Sequence, residues 1–194
     1  MLSRYKQKIE PFLRLIAYPL IKKGINPDII TLTGLAASII YLISVKIGAS
    51  LVFIALLYIF SLILDGLDGV VARALGKVSK FGAFLDSSID RITDTIYSLS
   101  LLELGIANLY EYTVLLMGSF LVSYSRARAE GLNVEMAGTG IGERLERSVL
   151  IFLAIIFSFF NVSISRIILY FLIIITHITF IQRITKVYRE TKVG

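Results

Sequence analysis

Four long stretches of this chain carry no charge: residues 29–45, 47–64, 148–165 and 167–182. Each approaches or reaches the roughly 17–20 residues that a helix needs to cross about 30 Å of hydrocarbon. Two further stretches are apolar but interrupted. Residues 81–104 hold Asp86, Asp90, Arg91 and Asp94, and residues 109–129 stay largely apolar up to Arg126 and Arg128. Accepting both predicts an all-α integral membrane protein with six transmembrane helices, at about 28–47, 51–73, 81–104, 109–130, 142–161 and 164–187. Ahead of them Leu13, Ile16, Ala17, Leu20 and Ile21 recur at helical spacing, with Arg14, Lys22 and Lys23 among or just beyond them. This predicts an amphipathic helix within residues 1–24 lying on the bilayer surface. The same segment lacks the compact apolar region of a cleavable signal peptide. The spans fill the chain, so a single membrane domain over 1–194 is expected.

Composition agrees with this pattern. The chain is 56% hydrophobic and its mean hydropathy is +0.81, well above a soluble domain that is about half apolar. The net charge of +6 follows from topology. Seventeen of the 20 Lys and Arg fall at one set of span ends, leaving Lys46 and Arg166 opposite and Arg91 within a span. Positive charge marks the cytoplasmic side, so both termini are expected in the cytoplasm at the cell membrane. The basic balance is thereby accounted for without nucleic acid. With no cysteine, disulfides and thiolate metal sites are excluded.

The interrupted spans carry the chemistry. Asp65 and Asp68 are three residues apart and share a helical face, as do Asp86 and Asp90, four apart on the next span. The connection through "ALGKVSK" is short, so the two spans are expected to be antiparallel neighbours. Their four carboxylates then converge just below the cytoplasmic surface. Such a group repels itself unless cations neutralise it, and oxygen-only ligands suit hard divalent ions. Gly66, Gly69, Ala72 and Gly82 are expected to leave open space for close helix approach or for a ligand. Intramembrane ion pairs to Arg73 and Arg91 are the plainer alternative, but two arginines cannot neutralise Asp65, Asp68, Asp86, Asp90 and Asp94. A cation-coupled transporter is the rival of another class, because buried carboxylates also line ion pathways.

From Asp65 to Asp90 the chain reads D-x2-D-G-x2-A-R-x8-G-x3-D-x3-D. This resembles the signature of the CDP-alcohol phosphotransferase family, with every defining position filled. The resemblance implies transfer of a substituted phosphate from a CDP-linked lipid, CDP-diacylglycerol or CDP-archaeol, to an alcohol, with release of CMP. It implies two divalent cations, Mg²⁺ or Mn²⁺, held by Asp65, Asp68, Asp86 and Asp90, with Asp90 also the general base. It further implies that Asp68, Gly69, Ala72, Arg73 and Gly82 contact the CDP-lipid, and that the protein is a homodimer. The stretch "NPDIIT" resembles the family's Pro-Asn-x-x-Thr motif, which adds Asp28 and Thr31 to the CDP-lipid contacts. Here Asp28 replaces the asparagine, and capping of the first span is its alternative role.

Arg126, Arg128, Arg144, Arg147 and Arg183 gather toward the same span ends. Arginine forks bind phosphate bidentately, so an acceptor that itself carries phosphate is expected to be held by these five. The stretches "SYSRARAEGL" and "GERLER" resemble the phosphatidylinositol-phosphate synthase branch and its archaeal counterpart, whose acceptor is inositol 1-phosphate. Glycerol 3-phosphate is the alternative acceptor, since it too would use the arginines. The run "GTGIGE" follows no strand and so is no phosphate loop; a flexible hinge is expected there. His177, alone in its span, is expected to pack.

Overall fold

The computed structural model describes residues 6–192, with side chains described from Pro11 onward. Among the described residues there are seven helices and no strand: α1 Lys6–Lys22, α2 Pro27–Lys46, α3 Leu51–Ala74, α4 Lys80–Glu103, α5 Leu109–Glu130, α6 Arg144–Ser158 and α7 Val162–Lys192. Short polar residues start them. Asn26 caps α2, its side chain accepting the Asp28 N–H at 3.1 Å, while Pro27 takes the first helical position. This corrects the capping role considered for Asp28, which lies inside the first turn. At α5, Asn108 and Glu111 form a reciprocal capping box. A glycine stops α3: Gly76 has φ 65° and the Lys77 N–H returns to Ala72 O at 2.9 Å. That closure turns the chain directly toward α4.

The residue ranges predicted as spans coincide with helices α2 to α7 to within a few residues. The main departures are α7, which runs on to Lys192, and α6, which has 15 residues. At 1.5 Å per residue α6 is only about 22 Å long. Three helices, α2, α3 and α7, are long and apolar enough to cross a membrane. Charges inside α4 and the shortness of α6 keep those two from that class. Large apolar side chains face outward along the three, including Ile40 and Ile43 on α2, Leu56 and Phe60 on α3, and Ile167, Phe171 and Ile174 on α7. Faces of this size belong against lipid, and the protein is a membrane protein.

The described residues form two compact units, one running to Ser100 and the other starting at Leu101. In the first, α1 and α2 both pack on α3. Leu13, Ile16, Ala17 and Leu20 of α1 press against Leu67, Val70 and Val71 of α3 and Ile30 of α2. Phe12, Leu15 and Tyr18 of α1 stay exposed. The first five residues of the expected N-terminal helix lie outside the described residues. Deeper in the unit, Tyr41, Tyr58 and Tyr97 come one each from α2, α3 and α4. Their ring centroids lie 4.4–5.8 Å apart. Burial obliges their hydroxyls to find acceptors. Tyr41 donates to Ser100 at 2.7 Å, and Tyr97 donates to Ser61 at 2.8 Å, which passes its own proton to Gly34 O.

In the second unit α5 and α6 pack on α7, with Leu115, Val122, Ile151, Ile155, Leu169 and Leu172 inside. Gly118 lets α5 approach Thr176 and His177 of α7 closely. The His177 Nδ1 lies 2.8 Å from Ile173 O, one turn back. His177 is a packing residue here, as its isolation in the sequence suggests.

Candidate active site

Because α3 stops at Gly76 and α4 restarts at Lys80, the acidic turns of the two helices fall side by side. Asp65, Asp86 and Asp90 each direct a carboxylate oxygen to a common point, the three oxygens lying within 4.8 Å of one another. All three residues are half-buried. This all-oxygen donor set fits a hard divalent cation. Arg91 reaches one member of the set: its Nη1 pairs with Asp90 Oδ2 at 3.4 Å and donates to Ser87 O at 2.7 Å.

Asp68 stands apart from these three. Three residues along a helix from Asp65 is a rotation of about 60°, and this turns Asp68 toward α2. Its Oδ2 accepts a hydrogen bond from Thr31 Oγ1 at 2.6 Å, and its Oδ1 accepts from the Gly69 N–H. The expected four-carboxylate group is therefore three carboxylates plus a fourth fixed beside them.

The other expected CDP-lipid contacts fall on the same helix ends. A methyl group built on Gly82 would lie 3.4 Å from Asp28 Oδ1, and one on Gly69 would lie 3.4 Å from Arg73 Nη1. Asp28 thus adjoins Gly82, and the Arg73 guanidinium covers Gly69, with half-buried Ala72 on the same turn. Gly66 differs. Its open side is filled by Leu13 of α1, 3.5 Å from a built methyl, so it serves helix packing and not ligand space.

All five expected acceptor arginines lie in the second unit, in two kinds of setting. Arg126 and Arg128 are exposed near the end of α5, with Arg126 Nε 2.8 Å from Glu130 Oε1. Arg144 is half-buried at the start of α6. Arg147 and Arg183 are 3% and 2% exposed. Arg147 Nη1 donates to Gly142 O at 3.2 Å. Arg183 donates to Thr139 O at 3.0 Å and to Val122 O, and its Nη2 lies 3.8 Å from Glu143 Oε1.

The segment expected to be a flexible hinge is bound down by these contacts. Thr179 accepts the Gly142 N–H at 2.8 Å, Glu143 accepts the Gly138 N–H at 3.1 Å, and Lys186 reaches Glu135 O and Thr139 Oγ1. Sequence reasoning missed Thr179 and Lys186 as braces of the basic region. Thr179 and Lys186 lie one helical turn before and one after Arg183 on α7, and that spacing was their only signal.

Residues 25–180 match the CDP-alcohol phosphatidyltransferase family. The chain belongs to this family. It is a CDP-alcohol phosphotransferase, and the transporter alternative falls. The match spans α2 to most of α7 and takes in the whole aspartate pattern and four of the five arginines, with Arg183 just beyond. Among family members, the chain is 36% identical to the archaetidylinositol phosphate synthase of Pyrococcus horikoshii over the full length of both. The fold also matches two crystal structures of the Mycobacterium tuberculosis phosphatidylinositol phosphate synthase, each with a TM-score of 0.77 and 29% identity. One has CDP-DAG bound and aligns over 91% of this chain and 93% of that one. The other is in complex with manganese and citrate and aligns over 91% and 88%.

Proposed function

We propose that this enzyme transfers the phosphatidyl or archaetidyl group of a CDP-linked lipid to a hydroxyl of inositol 1-phosphate, releasing CMP. The observation that carries this reading is the full-length likeness to an archaetidylinositol phosphate synthase, in a chain whose Asp65, Asp86 and Asp90 converge.

Asp65, Asp68, Asp86 and Asp90 would hold two divalent cations, Mg²⁺ or Mn²⁺. When bound, such cations polarise the phosphoryl oxygens and offset the charge on departing CMP. The rest falls to the chain. Asp28, Thr31, Gly69, Ala72, Arg73 and Gly82 line the nucleotide. Arg126, Arg128, Arg144, Arg147 and Arg183 orient the acceptor through its phosphate. Asp90 takes the proton of the attacking hydroxyl as its oxygen bonds to the lipid phosphorus and the bond from phosphorus to CMP breaks.

The chain is read as one membrane domain. Helices α2 to α7 form six spans of the cell membrane, both termini and the site face the cytoplasm, and α1 lies on the bilayer surface. Exposed Phe12, Leu15 and Tyr18 support the surface position of α1, and the charge distribution supports the orientation. The protein acts as a homodimer.

An acceptor panel tests the reading. Purified protein is given CDP-diacylglycerol or CDP-archaeol with inositol 1-phosphate, glycerol 3-phosphate, inositol or serine, and CMP release is followed. Divalent-dependent release with inositol 1-phosphate alone is expected. Faster release with glycerol 3-phosphate would overturn the choice of acceptor, and release undiminished by EDTA would overturn the metal assignment.

A further inference from the structure

Thr31 behaves unlike most other helical threonines among the described residues. Thr33, Thr95, Thr113, Thr179, Thr185 and Thr191 each donate to the carbonyl one turn back, at 2.7–2.9 Å. That is the usual local bond of a threonine inside a helix. The equivalent distance at Thr31, to Pro27 O, is 3.2 Å, whereas Asp68 Oδ2 lies 2.6 Å away. A hydroxyl has one proton to give, and the shorter contact to a carboxylate is the stronger of the two. Thr31 therefore spends its proton on Asp68, across the boundary between α2 and α3. Both residues are 6% exposed.

The backbone is arranged to permit this. Gly34, one turn after Thr31 on the same buried stripe, lets α2 close on α3. A methyl built there would lie 3.5 Å from Leu64 Cβ and 3.8 Å from the Asp65 nitrogen. Ser61 ties the same level by donating to Gly34 O at 2.9 Å. With the Gly69 N–H on Oδ1 and Thr31 on Oδ2, the plane of the Asp68 carboxylate is fixed from both sides. Each oxygen keeps a lone pair for a further ligand.

We propose that Thr31 is a positioning residue for Asp68: its hydroxyl orients the carboxylate for cation binding. The proposal rests on the reading of Asp68 as a cation ligand. It assigns Thr31 to the shell behind the metal ligands, where losing an orienting hydrogen bond weakens metal affinity by about 10- to 100-fold.

The test is Mn²⁺ binding, followed by the electron paramagnetic resonance of free Mn²⁺, to purified protein with no nucleotide or lipid substrate added. Wild type is compared with Thr31→Val, Thr31→Ala, Thr31→Ser and Asp68→Asn. Val keeps the shape and removes the hydroxyl, Ala is a second hydroxyl-free variant in case Val disturbs folding, and Ser keeps the hydroxyl. Weakening of about tenfold or more in the Val and Ala variants, with Ser near wild type, is expected. Unchanged Mn²⁺ affinity in Val and Ala alongside weaker CDP-lipid binding would overturn the proposal in favour of a direct nucleotide contact. Equal losses in Ser and Val would reduce Thr31 to packing. Asp68→Asn must itself lose Mn²⁺; if it does not, the assignment of Asp68 fails first, and the two failures are told apart.

Discussion

Two glycines inside helices, Gly66 and Gly118, should answer the same substitution in opposite directions. Replacing a glycine by alanine in a helix interior gains about 1 kcal/mol of propensity. At Gly66 the new methyl meets only Leu13, at 3.5 Å, an ordinary van der Waals contact that adds to the gain. At Gly118 it would lie 2.6 Å from Thr176 Oγ1 and 2.9 Å from His177 Cε1. Neither group can retreat freely, since Thr176 Oγ1 and His177 Nδ1 are held to Ile173 O at 2.7 and 2.8 Å. Giving up one such hydrogen bond costs about 1 kcal/mol, and overpacking costs about 1–3 kcal/mol. The strain outweighs the propensity, so Gly118→Ala should be destabilised by about 1–3 kcal/mol while Gly66→Ala is stabilised by up to about 1 kcal/mol. At about 2–4 °C per kcal/mol for a chain of this size, the two midpoints should separate by at least about 2 °C. The chain has no tryptophan or cysteine, so the helical circular dichroism of detergent-solubilised protein is the signal to heat. Adding Thr176→Ala to Gly118→Ala should restore part of the loss. A Gly118→Ala protein melting at or above Gly66→Ala would refute the close approach of α5 and α7.

Three other outcomes follow from the site. Asp90→Asn should abolish CMP release while CDP-lipid still binds within a few-fold of wild type; near-normal turnover would remove Asp90 as the base. Arg128→Ala should raise the KM for inositol 1-phosphate at least tenfold more than that for the CDP-lipid, and equal effects would return this exposed arginine to anchoring the membrane surface. Thr179→Val leaves the buried Gly142 N–H without its acceptor, at a cost of about 1–3 kcal/mol. Hydrogen exchange should rise across residues 138–143 in that variant, and unchanged exchange would show that Arg183 and Glu143 hold the segment by themselves.

The sequence revealed some of this more readily than the rest, and the division is physical. Helix positions could be read because uncharged runs and the 3.6-residue period report directly on a chain in lipid. The grouping of Asp65, Asp86 and Asp90 could be read for the same reason, as spacings of four and a short turn are local facts. The placement of Asp68 could not. It depends on the register of α2 against α3, set by Gly34 and Ser61, which no spacing within one helix reports. The burial of Arg183 was equally hidden, because loop and helix carbonyls take its guanidinium and a loop's path has no period. Composition misled at "GTGIGE", where glycines suggested a hinge but Thr179, Arg183 and Glu143 bind the segment down.

The two kinds of chemistry are also separated along the chain, and each set is braced from within its own unit. Every residue assigned to the cations and the nucleotide lies in the unit ending at Ser100, where the buried tyrosines of α2, α3 and α4 fix those helices below the carboxylates. Every arginine assigned to the acceptor lies in the other unit, on α5, α6 and α7, where Thr179, Lys186 and Glu143 fix the loop between α5 and α6. A substitution in one set of braces should act first on the side chains of its own unit. Tyr97→Phe, which deprives Ser61 of a donor, should act on cation and CDP-lipid binding. Glu143→Gln, which removes the charge beside Arg183, should act on the acceptor. Acceptor variants of this enzyme should accordingly be sought in residues 126–147 and 179–186, with unchanged Mn²⁺ and CDP-lipid binding as the check.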